Sequence, residues 1–266
     1  MNNAPIGVFD SGVGGLTVAR EIMRQLPSED IIYFGDTARV PYGSKSRETI
    51  IRYSRQIIHF LLAEKVKAVV IACNTASSLA LDTVKNEFAV PIVGVVWPGA
   101  IAAAATTKNN RVGVIGTVAT VESGIYTQYL KQLNPKITVF GKACPLFVPL
   151  VEEGMLYDPV TVEMADRYTS ELMAYNIDTL VLGCTHYPLI RHTIQKVVGD
   201  GVSLVNPAYE TAQTLKETLQ KGDLANDPAH EGKHRFYVSD GAEKFRAFAN
   251  TILPCDVEET RLFKIE

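Results

Sequence analysis

The sequence predicts an α/β protein made of two similar doubly wound parallel-sheet domains related by a pseudo-twofold axis. Three observations predict it. Short apolar runs alternate with amphipathic segments along all 266 residues, the pattern of strand–helix–strand units whose sheet is covered on both faces. The alternation occurs twice: IGVFDSG (6–12) corresponds to VGVIGTV (112–118), and VVIACNT (69–75) to LVLGCTH (180–186), at nearly equal offsets. The composition, 47% hydrophobic and 21% charged, is that of a soluble globular chain long enough for two cores.

The elements follow in order. IGVFD (6–10) reads as a buried strand, and GVGGLTVAREIMRQL (12–26) as a Gly-rich loop and a helix stopped by Pro27. DIIYFGD (30–36) is the next strand. SRETIIRYSRQIIHFLLAEK (46–65) carries apolar residues at helical spacing. AVVIAC (68–73) is a strand, SSLALDTVKNEF (77–88) a helix and IVGVV (92–96) a strand. Residues 88–107 carry no charge, but Pro91, Gly94, Pro98 and Gly99 divide them into a strand, a turn and an Ala-rich helix start, so they are not read as a membrane span. The second series comprises a strand at RVGVIGT (111–117), a helix over 121–133, a strand ITVFG (137–141), a helix over 158–175, a strand TLVLGC (179–184) and a helix after Pro188. The expected domains are 1–97 plus 208–266, and 98–207.

Charge and cysteine usage narrow the function. A net charge of −3 without a Lys/Arg cluster gives no nucleic-acid footprint. The N-terminus MNNAPIGVFD has neither the basic nor the apolar region of a signal peptide. Cys73, Cys144, Cys184 and Cys255 form no C-x-x-C pair, so reduced thiols are expected. Cys255 reads as a small buried hydrophobe, and Cys144 before Pro145 is undecided.

In such sheets ligands bind beyond the carboxyl ends of the strands. Asp10, Ser11, Cys73 and Cys184 fall at those ends, and facing domains would bring the two cysteines to a shared cleft. DSGVGG (10–15) is a strand-to-helix loop, yet it fits neither the dinucleotide fingerprint nor a Walker lysine. Asp10 there favours steering a cation or a general base over binding phosphate. HEGKH (230–234) satisfies H-E-x-x-H, but Pro228, Gly232 and the strand-like RFYVSD (235–240) deny it the helix that zinc binding requires. His59 and His192 read as packed or surface histidines. His186, two residues past Cys184, is different. Cys73, Cys184 and His186 admit three readings: an incomplete metal site, a disulfide, or a pair of thiol acid/bases tuned by neighbouring groups.

FDSGVGGLTV (9–18), GDTARVPYG (35–43), IACNTASS (71–78) and GCTHYPLI (183–190) resemble the four signature blocks of the glutamate racemases, within the cofactor-independent aspartate/glutamate racemase superfamily. The resemblance runs from residue 5 to the C-terminus. It implies interconversion of L- and D-glutamate for bacterial peptidoglycan, in the cytoplasm, with no cofactor and no metal. It also implies an active site in the cleft between the domains, a homodimer, and no nucleic-acid or membrane partner. Carried over by position, Cys73 and Cys184 are the acid/base thiols, assisted by Asp10 and His186 respectively. Glu152 is a further catalytic carboxylate and Asp36 a possible assisting one. Ser11, Tyr42, Gly43, Asn74, Thr75, Thr117, Thr120 and Thr185 would hold the substrate's ammonium and carboxylates. A thiol suits this chemistry, because a reference pKa of about 8.5 lets either protonation state form near neutrality after a modest shift.

Overall fold

The computed structural model describes residues 3–265, which form two compact units. One unit contains the chain up to Val95 and again from Ala208 onward, and the other is Val96–Pro207. The strands among the described residues are, in chain order, β1 (Ile6–Asp10), β2 (Ile31–Gly35), β3 (Ala68–Ile71), β4 (Ile92–Gly94), β5 (Arg111–Gly116), β6 (Thr138–Ala143), β7 (Thr179–Gly183), β8 (Ser203–Val205), β9 (His234–Val238) and β10 (Thr260–Leu262). The first unit's sheet has the order β10-β9-β2-β1-β3-β4 and the second's β6-β5-β7-β8. Every pairing is parallel. Without the C-terminal pair, the two orders coincide: β1 matches β5, β2 matches β6, β3 matches β7 and β4 matches β8. The internal repeat of the sequence is therefore a repeat of topology.

Strands β1, β2 and β7 are buried along their whole length, as parallel strands covered on both faces must be. Strand β2 shows how the faces divide. Ile32 and Phe34 join the core formed with Ile50, Ile57 and Leu61 of the helix Arg47–Ala63. Tyr33 points the other way, against Phe236 of β9 and Phe245 of the helix Ala242–Ile252, with ring centroids 6.4 and 5.7 Å away. The helix Arg47–Ala63 opens at Ser46, whose Oγ accepts the Thr49 N–H at 3.3 Å, satisfying one of the amides that a helix start leaves without a partner.

Three local expectations are corrected. The helix expected over 77–88 starts earlier, at Asn74, because Cys73 caps it, and it breaks at Ala80 into Asn74–Leu79 and Leu81–Val84. The helix expected over 121–133 is two, Val118–Glu122 and Ile125–Leu133, split where Gly124 takes φ +65°, a left-handed conformation that glycine adopts without strain. The turn expected at Pro98 and Gly99 is instead the first turn of a helix, Val96–Thr106, where proline's missing N–H breaks no helical hydrogen bond. No helix among the described residues is long and apolar enough to cross a membrane.

The HEGKH stretch runs as loop into β9, not as a helix. His230 Nε2 lies 2.9 Å from Asp30 Oδ1, and Gly232 N donates to Pro27 O at 3.1 Å. A Cβ on Gly232 would stand 2.5 Å from Glu29 O, so close backbone approach accounts for the glycine.

Candidate active site

The first unit gathers its site residues at the carboxyl ends of β1 and β3. Asp10, fully buried, accepts the Gly12 N–H on Oδ1 at 3.0 Å, an Asx-type turn that bends the chain out of the strand. Tyr33 Oη donates to Gly12 O at 2.8 Å from beneath. Cys73 is the N-cap of the helix Asn74–Leu79: its Sγ accepts from Ala76 N at 3.5 Å and lies 3.8 Å from Ser11 Oγ. The sulfur thus accepts from a backbone N–H while its own S–H is directed at the Ser11 hydroxyl oxygen. Asn74 and Thr75, in the first turn, are buried beside it.

Asp36, just past β2, is joined to the β1 end through its N–H, which donates to Asp10 O at 3.0 Å. Its buried carboxylate is fully engaged. Oδ1 accepts from Ser239 Oγ at 2.9 Å, and Oδ2 accepts from Arg39 Nε at 2.7 Å and from the Tyr42 hydroxyl. Burial first, and the Asp36 carboxylate second, push the Tyr42 phenol well above its usual range, so Tyr42 is a neutral donor. Asp36, which the sequence reads as a possible assisting carboxylate, thus anchors the loop that carries Tyr42 and the half-buried Gly43.

The second unit gathers a matching set at the ends of β5 and β7. Thr117 is the N-cap of the helix Val118–Glu122. Its Oγ1 accepts the Thr120 N–H at 3.2 Å and sits 3.0 Å from Thr120 Oγ1. Cys184, Thr185 and His186 are all buried. Cys184 Sγ is 3.8 Å from His186 Nδ1, and His186 Nε2 is 3.1 Å from Glu152 Oε1. Glu152 ends the helix Phe147–Glu152, and its side chain is 26% exposed. The result is a chain of three groups, thiol, imidazole and carboxylate, from a buried sulfur to a carboxylate in contact with solvent. In the tautomer whose Nε2–H donates to the Glu152 carboxylate, Nδ1 is the acceptor that faces the Cys184 sulfur.

Cys144 also lies in this unit, but its surroundings differ. It is fully buried, its Sγ donates to Lys142 O at 3.6 Å, and burial pushes its pKa far up. It is held as a thiol. None of the four cysteines forms a disulfide. Among the described residues, no three His, Cys, Asp or Glu side chains are placed to share a metal ion.

The structure therefore brings together Asp10, Ser11 and Cys73; Asp36 and Tyr42; Thr117 and Thr120; and Cys184, His186 and Glu152. It also recruits Tyr33, Arg39 and Ser239, which the sequence does not single out. Tyr33 lies inside an apolar run that reads as core. Ser239 contacts Asp36 across 203 residues of chain, a distance no local pattern spans. Its one available signal is that it, like Asp36, follows the end of a strand.

The profile of the Asp/Glu/Hydantoin racemase family matches residues 6–215. A glutamate racemase of Geobacter metallireducens is 50% identical over 248 residues, 93% of this chain and 92% of that protein. In three dimensions the chain is similar to glutamate racemase isoform RacE1 from Bacillus anthracis, with a TM-score of 0.95 at 38% identity, over 100% of this chain and 99% of that one. It is also similar to a glutamate racemase from Francisella tularensis, solved in complex with D-glutamate. There the TM-score is 0.93 at 40% identity, over 100% of this chain and 99% of the other.

Proposed function

Because the chain belongs to the Asp/Glu/Hydantoin racemase family, we propose that it interconverts L- and D-glutamate by a two-base proton transfer in which Cys73 and Cys184 address opposite faces of Cα. The observation that carries this reading is the placement of the two thiols. Each closes the equivalent strand, β3 or β7, of two sheets with the same strand order, and each has a proton-handling or hydrogen-bonding neighbour. The substrate is supported by the similarity to glutamate racemases, one of them crystallised with D-glutamate.

The chemistry needs two such groups. A Cα–H beside a carboxylate is a very weak acid, and inversion requires a base on one face and an acid on the other. With L-glutamate, Cys184 acts as thiolate and takes the Cα proton, while the Cys73 thiol gives its proton to the opposite face. The electron pair released at Cα forms the new C–H bond. Turnover leaves Cys184 as thiol and Cys73 as thiolate, the state that accepts D-glutamate. His186 serves Cys184: proton transfer from Sγ to Nδ1 yields an imidazolium flanked by the thiolate and the Glu152 carboxylate, both of which stabilise it. Asp10 orders the loop that presents Ser11 to Cys73. Ser11, Tyr42, Gly43, Asn74, Thr75, Thr117, Thr120 and Thr185 supply fixed dipoles and donors for the ammonium and the two carboxylates, including the charge that grows on the α-carboxylate in the transition state. The mechanism calls for no cofactor and no metal. The resemblance of the signature blocks supports the wider reading: a cytoplasmic homodimer supplying D-glutamate for peptidoglycan.

The test is incubation of L-glutamate with the purified protein and excess chelator in heavy water. The optical rotation should decay to zero as one deuterium enters Cα. A decay confined to aspartate would reassign the substrate, and an absence of Cα exchange with either amino acid would leave a binding protein.

A further inference from the structure

We propose that Tyr33 is the positioning residue of the Cys73 half of the site, holding the Asp10–Ser11–Gly12 turn in the one conformation that sets Ser11 beside the Cys73 sulfur. The proposal rests on the two-thiol reading above and goes beyond it to a residue inside the sheet.

The position of Tyr33 in β2 asks only for an apolar side chain. It is fully buried, and its ring packs against Phe236 and Phe245, surroundings that a phenylalanine would fill equally well. A buried phenol, however, must find an acceptor or lose the energy of a hydrogen bond. The acceptor here is Gly12 O at 2.8 Å, on the turn above the strand. The same residue is held from its other side, since Gly12 N donates to Asp10 Oδ1 at 3.0 Å. Gly12 is therefore fixed at both its N–H and its C=O, by Asp10 and by Tyr33. The residue between Asp10 and Gly12 is Ser11, whose Oγ is 3.8 Å from Cys73 Sγ.

Two glycines leave room for this arrangement. A Cβ on Gly15 would stand 2.4 Å from Asp10 Cβ and 2.7 Å from Tyr33 Oη, and one on Gly35 would stand 3.0 Å from Gly12 O. The backbone on both sides is stripped of side chains where the phenol meets the turn. Burial, and then the charges of Asp10 and Cys73, push the Tyr33 phenol well above its usual range. It stays a neutral donor throughout turnover and touches neither the substrate nor the transferred proton.

A positioning role confined to one thiol has a signature that a general loss of stability does not share. Racemisation cannot show it, because the equilibrium fixes the ratio of kcat/KM in the two directions. Elimination from a glutamate analogue carrying a leaving group at C3 can. One thiolate takes the Cα proton, the electron pair forms the Cα=C3 bond, and the leaving group departs with its bonding electrons. Cys73 is the base for the D-configured analogue and Cys184 for the L-configured one.

The experiment compares Tyr33→Phe with the unmodified protein on both enantiomers, with folding checked by circular dichroism and thermal unfolding. Elimination from the D-analogue should fall about tenfold and from the L-analogue by less than about twofold, as expected when one buried acceptor loses its donor on one side of the site. Gly15→Ala, whose methyl would crowd both Asp10 Cβ and Tyr33 Oη and so disturb the same turn while keeping the phenol, should show the same asymmetry and serves as the second variant. Equal losses on both enantiomers, or none, in a folded variant would overturn the proposal. An unmodified protein inert toward both enantiomers and toward glutamate would instead overturn the racemase reading.

Discussion

Cys144 and Cys184 are both buried thiols just past strand ends of one sheet, and their neighbours alone set them apart. Cys184 faces an imidazole that is backed by a carboxylate. Cys144 faces the Lys142 carbonyl and, through burial, keeps its proton; it can neither take a proton from substrate nor act as a thiolate near neutrality. Cys144→Ala should therefore leave racemisation within about twofold and cost about 1 kcal/mol in urea unfolding, the usual scale for a single core truncation. A well-folded Cys144→Ala protein without activity would mean that this thiol takes part in the chemistry. The sequence leaves Cys144 undecided for a physical reason: what distinguishes a reactive thiol is its partners in space. The Glu152–His186 contact is another case. Helix and strand periodicity carry no information about a pairing between the end of one helix and the residues after a strand 34 positions on, so only the family resemblance, and none of its four signature blocks, points to Glu152.

At the scale of elements, Cys73 and Thr117 are both helix N-caps, and each carries a proposed second role. Thr117 starts the helix Val118–Glu122 by accepting the Thr120 N–H, and its hydroxyl is also the proposed donor for a substrate carboxylate. Thr117→Val should raise KM for glutamate more than it lowers kcat, and should cost about 1 kcal/mol of stability for the lost cap. Thr120→Val should raise KM without that capping cost, and Thr117→Ser should restore both properties. Unchanged kinetics in both valine variants would leave the pair a helix cap and nothing more. The strands were the most legible elements, because parallel strands buried on both faces read as unbroken apolar runs such as AVVI and TLVLG. Helix boundaries were less so. The sequence places a helix start at Ser77 where the chain starts it at Asn74, because a cysteine is not a usual N-cap and its sulfur accepts a backbone N–H only through the local geometry after β3.

At the scale of the molecule, the first unit is built from two separate stretches of chain, and its candidate site residues draw on both. Strand β9 lies in register with β2 from Ile31↔His234 to Gly35↔Val238, which delivers Ser239 to Asp36. The return is fastened at the other end of the sheet by buried charge: Lys67 Nζ is 2.6 Å from Glu29 Oε2 and 2.6 Å from Asn226 Oδ1, while Asn226 N donates to Glu29 Oε1 at 2.9 Å. Removing either charged partner would strand the other in the interior, so the pair fixes where the C-terminal stretch docks more than it adds stability. No local pattern in HRFYV says which sheet it joins. The topological match of β2-β1-β3-β4 with β6-β5-β7-β8, by contrast, was visible as two repeated strand ends, and it places Cys73 in one unit and Cys184 in the other.

The central claim is that each thiol serves one face of Cα, and the most direct test uses Cys73→Ala and Cys184→Ala on glutamate and on the C3-substituted analogue. Each variant should fold, since the change removes one sulfur at a strand end, and each should lose racemisation because a carbanion formed on one face finds no acid on the other. Each should still eliminate from one enantiomer: Cys73→Ala from the L-analogue, through Cys184, and Cys184→Ala from the D-analogue, through Cys73. A folded single variant that racemises glutamate at a substantial rate, or a shared preference of both variants for the same enantiomer, would contradict the account.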